Sequence, residues 1–408
     1  MSHNTNYTIM SKFSGSRKCC KPCPPGPCPP VTSVLTGVGA PGCETGESGD
    51  MYIDLSTGHM YYKLTAPVPP AVRPIPSPSG NTLLVGSGQT YTNIEDALAA
   101  ANDGDRILLD AETFTINSTI NVNKSVTIEG QGKGATKVIT TSNTVISMFN
   151  VTVSNVVFKD MSLIQNFVST ATVETVIYVN NTSATGIYVH NCEISVCEFG
   201  ISLRAAEFQI TNCDFIYSPD AGIPNNYRYI YILNTSGQSI INNNTFVSTA
   251  GPTSCSFIII TNIGAGTLQG TLVISNNSQL SSPDPLRHLL VMEEYSGSDF
   301  KLYIINNTTL SESNAPVLLY NANLNLFTFI SVEGNSVQNT AGKGLIAIDF
   351  NSTGTTAIFS SNNTLANESF APDWESATNP LSFIVGYRTS ISPAPELPLE
   401  DCYWLPLL

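Results

Sequence analysis

A chain of 408 residues with 31 acidic and 17 basic side chains, a formal net charge of −14, carries no basic stripe for phosphates, so nucleic-acid binding is not expected. Only 12% of its residues are charged, while Asn, Ser, Thr, Val and Ile abound, which is the balance of a polar-surfaced β protein. No apolar run approaches the roughly 18 residues that span a bilayer, so no membrane span is expected. Residues 1–16 lack the apolar core of a signal peptide. The Asn-x-Ser/Thr sequons, at Asn117, Asn150, Asn234, Asn306 and Asn351 among others, are therefore expected to go unused.

Residues 1–35 form a Cys- and Pro-rich segment. The run Lys18-Cys-Cys-Lys-Pro-Cys-Pro-Pro-Gly-Pro-Cys-Pro-Pro30 favours stiff, extended polyproline II. Cys19, Cys20, Cys23 and Cys28, with Cys43 beyond, suit a disulfide knot or an interchain clasp, with inert thiols as the bland alternative. Their spacing is not a standard zinc spacing and no His is near, so no metal is expected. Cys192, Cys197, Cys213, Cys255 and Cys402 are scattered.

Residues 36–65 read as a degenerate collagen-like stretch followed by a β-hairpin. Glycine recurs at nearly every third place from Gly39 to Gly49, but its phase slips after Gly42. Alternation on both sides of Ser56-Thr-Gly58 marks the hairpin. The run Gly49-Asp-Met-Tyr-Ile-Asp-Leu-Ser-Thr-Gly-His-Met-Tyr61 resembles a Gly-Asp-x-Tyr-Ile-Asp-x-x-Thr-Gly-x-x-Tyr unit. That unit accompanies collagen-like segments in fibre proteins of giant, mimivirus-like DNA viruses, some phages and spore coats. The resemblance covers residues 36–63 and brings no catalytic residue with it. Residues 66–85, rich in Pro and Ser, read as a linker.

Residues 86–365 carry the repeats. A helix is expected near 92–102, with Thr92 and Glu95 as a capping box and Ile94, Ala97, Leu98 and Ala101 as its apolar face. Strands follow from Arg106-Ile-Leu-Leu and Ser125-Val-Thr-Ile-Glu-Gly130 onward. This opening resembles that of pectin-lyase-like domains, which implies a right-handed parallel β-helix whose small helix covers the open end of the stack. Polar residues then recur at Gly130, Asp160, Asn191, Asn212, Asn243, Asn276, Asn306, Gly334 and Asn362. A second series recurs at Asn150, Asn180, Arg204, Asn234, Asn262, Glu294, Asn321 and Asn351. Two series in step mean at least two strands per repeat with a corner after each, and inward-turned Asn amides are expected to bond from coil to coil. No fixed Leu spacing supports leucine-rich repeats, and the short period without hairpin turns argues against a propeller. Residues 366–408 read as an end cap or an oligomer contact.

Chemistry is sparse. Glu193 and Asp214 hold one place in adjacent repeats, so stacking sets them about 5 Å apart, the separation of retaining glycosidase carboxylates. The bland reading is a pair of solvent-facing carboxylates. Arg204 and Glu294 stand where Asn is the rule, with Glu293 and Asp349 close by, making these four candidate ligand-binding residues against the alternative of tolerated surface substitutions. Tyr178, Tyr188, Tyr227, Tyr229, Tyr231 and Tyr320 could stack on sugar rings, although core packing is their ordinary role. The clustered Asp with Arg of pectate lyases and the Gly-His-Gly of polygalacturonases are both missing. Of the coil histidines, His190 lies within a strand and His288 is the other.

The expectation is therefore an all-β structural surface fibre or spike on a virion, homotrimeric, joined to other virion surface proteins through its N-terminal segment and in contact with host polysaccharide. Alternative placements are an extracellular or spore surface. Alternative functions are a glycan depolymerase, as polysaccharide lyase or glycoside hydrolase, and a passive glycan-binding adhesin. No cofactor is expected, calcium at a carboxylate pair aside.

Overall fold

The computed structural model describes residues 33–39, 41, 45–46, 50–58, 60–65, 68–140, 147–165, 175–196, 199–217, 227–248, 255–261, 268–279, 288–293, 297–311, 317–320, 327–339, 346–348, 358–366, 374–376, 387–389 and 402–407. They fall into two units, one of residues 69–393 and one of residues 1–68 with 394–408. Cys19, Cys20, Cys23, Cys28, Cys43, Glu294 and Asp349 lie outside the described residues.

In the larger unit each strand pairs in parallel with its equivalent one repeat away. Ile187–His190 lies between Val156–Lys159 and Phe208–Thr211. Glu193–Val196 lies between Ser162–Gln165 and Asp214–Tyr217. Phe199–Arg204 lies between Thr175–Asn180 and Tyr227–Asn234. The three strands of one repeat thus belong to three different faces, and stacking the repeats gives a parallel β-helix. The ladder opens at Thr82–Val85, at the end of the Pro/Ser stretch, and reaches Trp374–Ser376 and Tyr387–Thr389.

Period-2 alternation on the first face decides what is inside. Ile187 and Val189 join one buried core, as do Phe208 and Ile210, Leu272 and Ile274, and Ile330 and Val332. Coils about 4.8 Å apart bring equivalent rings into stacking distance. Phe215 and Phe246 stack at 5.2 Å and Phe246 and Phe257 at 4.5 Å. Tyr229 packs among them, fully buried, with its hydroxyl donating to the Val247 carbonyl at 2.8 Å. It is a core residue and unavailable to a sugar.

The open end is covered by the helix Ile94–Ala100, which buries Ile94, Ala97 and Leu98. Its cap lies one residue beyond the Thr92–Glu95 box: Asn93 Oδ1 accepts from the Asp96 amide at 2.7 Å, and Asn93 Nδ2 donates to Asp96 Oδ2 at 2.8 Å. At the other end, Lys124 Nζ donates to the carbonyls of Leu98, Ala99 and Ala101, satisfying acceptors that the helix leaves open.

The polar corner series has a different role from the one its spacing suggests. Asp160, Asn191, Asn212, Asn243, Asn276 and Asn306 all sit in the left-handed region, with φ between 50° and 58°. Asn and Asp tolerate that conformation best after glycine. At Gly334 (φ +64°) an added Cβ would meet Asn306 Oδ1 at 2.1 Å, so a side chain there would have to displace the Asn306 amide. The inward ladder belongs to the next residue. Asn244, Asn277, Asn307, Asn335 and Asn363 are each at most 2% exposed. The Asn277 Oδ1 accepts both the backbone and side-chain N–H of Asn244 at 3.0 Å, and Asn307, Asn335 and Asn363 repeat the pattern. Each amide also donates to a strand carbonyl, from Ile210 onward to Val332. The turn residue takes the left-handed φ and at some corners also bonds to the next coil, as Asn191 Nδ2 does to Asp160 Oδ1 and Asn243 Nδ2 to Asn212 Oδ1, both at 2.6 Å, while its successor forms the buried ladder. In the second series Asn180, Arg204 and Asn234 align, but Asn150 pairs with Tyr178 and drops out of step.

In the smaller unit the expected hairpin forms, with Met51–Asp54 antiparallel to Met60–Thr65. Val34–Gly37 adds to it in parallel and Cys402–Leu407 on the other edge in antiparallel sense. The Asp54 carboxylate gathers the turn, accepting from the amides of Gly39 and Ser56 and the hydroxyls of Ser56 and Thr57 at 2.6–2.9 Å. Those hydroxyl bonds hold its pKa well below the usual carboxylate range.

Candidate functional site

A group of ionisable side chains lies at the corner between the first and second faces. Strands Ile187–His190 and Phe208–Thr211 end there in left-handed Asn191 and Asn212, and each chain turns into the next strand through a buried cysteine. The register then places Glu193 directly beside Asp214, with Ser162 and Thr245 flanking them in the row. Adjacent strands stand about 4.8 Å apart, so the two carboxylates project from backbones at that spacing.

A lysine reaches one of them. Lys133 Nζ donates to Asp214 Oδ2 at 2.8 Å and to the Asn212 carbonyl at 2.7 Å. It comes from the Gly130-Gln-Gly-Lys-Gly134 loop, held over the neighbouring coil by Gly132 N on the Asp160 carbonyl (2.8 Å) and Gly134 N on Ser162 Oγ (2.9 Å). Such a loop needs glycine: a Cβ on Gly130 would lie 2.4 Å from the Asp160 carbonyl. Asp214 remains 39% exposed, so the ion pair is solvent-screened and worth little to stability.

Around the pair the polar groups are committed to one another. Asn191 Nδ2 donates to Asp160 Oδ1 at 2.6 Å, and His190 Nδ1 meets Thr211 Oγ1 at 2.8 Å. Burial pushes the His190 pKa down; Asp160 opposes that, while Lys159 and Lys133 add to it. One row inward along the stack, Glu129 accepts both Arg106 Nε (2.9 Å) and Lys159 Nζ (2.8 Å). Burial raises the Glu129 pKa, but its two cations outweigh that and hold it below the ordinary value. Among the described residues no three metal-ligating side chains converge.

The other sequence candidates do not join this corner. Arg204 ends a third-face strand, paired with Asn180 and Asn234. Glu293 lies on that face three strands away, opposite Thr261 and Tyr320. Of the tyrosines, Tyr178 and Tyr231 are half-buried on the third face, while Tyr188 belongs to the first face, where a feature missed by sequence reasoning covers it.

That feature is the Pro-rich strap of residues 69–80. It crosses the outward side of the first face. Arg73 is latched there: its amide donates to Gln209 Oε1 at 2.9 Å, Gln209 Nε2 donates to its carbonyl at 2.8 Å, its guanidinium pairs with Glu207, and the cation lies 5.9 Å from the Tyr188 ring centre. Farther along, Pro76 and Pro78 border a groove of about 440 Å³ with Asp103, Thr127, Asn155 and Val157. The outward row Val157, Tyr188, Gln209, Ile240, Val273, Tyr303 and Ser331 is continuous by register. Every member is at most 8% exposed, although each faces away from the core. The signal for the strap was present in Pro69-Pro70, Pro74, Pro76 and Pro78, a spacing that suits an extended chain laid over a sheet.

No protein-family model matches the chain, and no curated protein matches it in sequence. Among solved structures it is similar to the pectin methylesterase from Aspergillus niger, with TM-score 0.45, 15% identity, and coverage of 75% of this chain and 92% of that one. It is also similar to the catalytic domain of a GH87 alpha-1,3-glucanase in complex with tetrasaccharides, with TM-score 0.42, 13% identity, and coverage of 76% and 70%. Pectin methylesterase PemA from Erwinia chrysanthemi gives TM-score 0.40, 12% identity, and coverage of 72% and 92%. At these identities and scores the likenesses bring no catalytic role to any residue of this chain.

Proposed function

We propose that this protein is a structural surface fibre or spike of a virion, with a β-helix that serves as a rigid body and not as a catalyst. The observation that carries this reading is the covered first face: seven successive outward residues, Val157 through Ser331, are buried, and the strap over Tyr188 and Gln209 is fastened by Arg73. A sheet face covered in this way is not an open platform for a polymer, and the cover adds stiffness to a stack already tied by amide ladders. The proposed assembly is a homotrimer joined to other virion proteins through its N-terminal segment. Antibody labelling of intact purified virions, with peptide mass mapping of the same particles, tests it: surface label and matching peptides are expected, and their absence would remove the reading. Light scattering is expected to return three times the 43.6 kDa chain mass.

A second reading, glycan cleavage, is favoured by one observation, the in-register Glu193–Asp214 pair. Carboxylates at about 5–5.5 Å are the spacing of a retaining glycosidase. In that role one carboxyl of the pair would serve as the acid and the other as the nucleophile.

A further inference from the structure

The inner ladder changes chemistry at one end. From Asn244 to Asn363 each coil is tied to the next by an asparagine amide. The ladder's last amide acceptor, Asn244 Oδ1, takes the backbone N–H of Cys213 at 2.9 Å, and beyond it the same position is held by Cys213 and then Cys192. The two are neighbours in the stack, because the residues on either side pair in register, His190 with Thr211 and Glu193 with Asp214. Both are fully buried and both are free thiols. Their polar links are weak: Cys192 Sγ lies 3.4 Å from the His190 carbonyl, and Cys213 Sγ lies 3.4 Å from that of Thr211.

We propose that Cys192 and Cys213 are a cross-linking site, closing a disulfide between adjacent coils where the amide ladder stops. Parallel neighbours about 4.8 Å apart fall within the roughly 4.4–6.8 Å of Cα separation that a disulfide accepts. The Cβ atoms must approach by a few tenths of an ångström for the bond to close. The reaction is thiol–disulfide exchange with a small-molecule disulfide of the glutathione class. One protein thiolate attacks a glutathione sulfur and expels one glutathione thiolate. The second protein thiolate attacks the mixed disulfide and expels the other. Two protein thiols are oxidised, one glutathione disulfide is reduced to two glutathione thiols, and the two protons lost by the protein thiols end on those glutathione thiols. Since both sulfurs are enclosed in the finished fold, the bond forms as the coils close.

The test uses the full chain, unfolded with reductant and refolded in glutathione buffers poised oxidising or reducing, then alkylated under denaturing conditions. Trypsin separates the pair into residues 160–204 and 205–228, the first also holding Cys197. The expected result is a linked pair of these peptides, lost on reduction, whose fragmentation places the bond at Cys192. The oxidised chain is also expected to melt at a higher temperature than the reduced one. Cys213→Ser should leave Cys192 alkylated. Recovery of both cysteines alkylated after oxidising refolding, or a bond from either to any other cysteine, would overturn the proposal.

Discussion

At the scale of single residues, neighbouring asparagines do opposite jobs. Asn307 Oδ1 accepts from Asn277, and its Nδ2 donates to Asn335 and to the Ile274 carbonyl, all at 2.9–3.0 Å. Asn307→Ala strands these buried groups and is expected to cost about 2–4 kcal/mol. Asn306, exposed at φ 53°, is different. Asn306→Gly relieves its backbone strain, and the change should stay within about 1 kcal/mol. Denaturant unfolding of the two variants side by side decides whether the ladder has been placed on the right residue. His190 gives a pH signature. Its pKa is lowered in the folded state, so the folded protein takes up its proton later than the unfolded chain. Stability is full above the unfolded value of 6.5 and declines as pH falls from there through the lowered folded value. The lowered carboxylates Glu129 and Asp105 lose their contribution only in a more acid window, below their ordinary 4.5 and 3.8. Melting temperature should therefore drop between pH 7 and pH 5, and His190→Gln should flatten that drop.

At the scale of elements, the strap is the part to perturb. Gln209→Ala removes both hydrogen bonds to the Arg73 backbone from a fully buried site. Net bonds of about 1 kcal/mol each predict that the Arg73 amide exchanges its hydrogen at least about tenfold faster, while the core amide of Ile210 is unchanged. Equal protection in both proteins would mean the strap is held elsewhere. Much of this level was legible beforehand. The recurring strand–Asn phrase gave the parallel stack, and the equal places of Glu193 and Asp214 gave their register. The sequence could not say which asparagine turned inward, because both members of Asn-Asn look alike. Only a left-handed φ at the first of them separates strain from burial. The cap moved to Asn93 for a similar reason, since Thr92 and Asn93 are adjacent and each has an acidic residue three places on. The strap was read as a linker because proline spacing reveals extension and says nothing of what an extended segment lies against.

At the scale of the whole molecule, the core, the amide ladder and the covered face all favour a body that resists deformation. Energy is spread over many equivalent coil contacts, which suits a load-bearing stack. The central proposal is that the β-helix, with its first face covered, is a structural body and not a catalyst. Incubation of the purified protein with acidic and neutral polysaccharides, followed by assay for new reducing ends and unsaturated products, tests it directly. The account predicts none from the wild type; release of product that disappears in Glu193→Gln would contradict it and make the corner an active site.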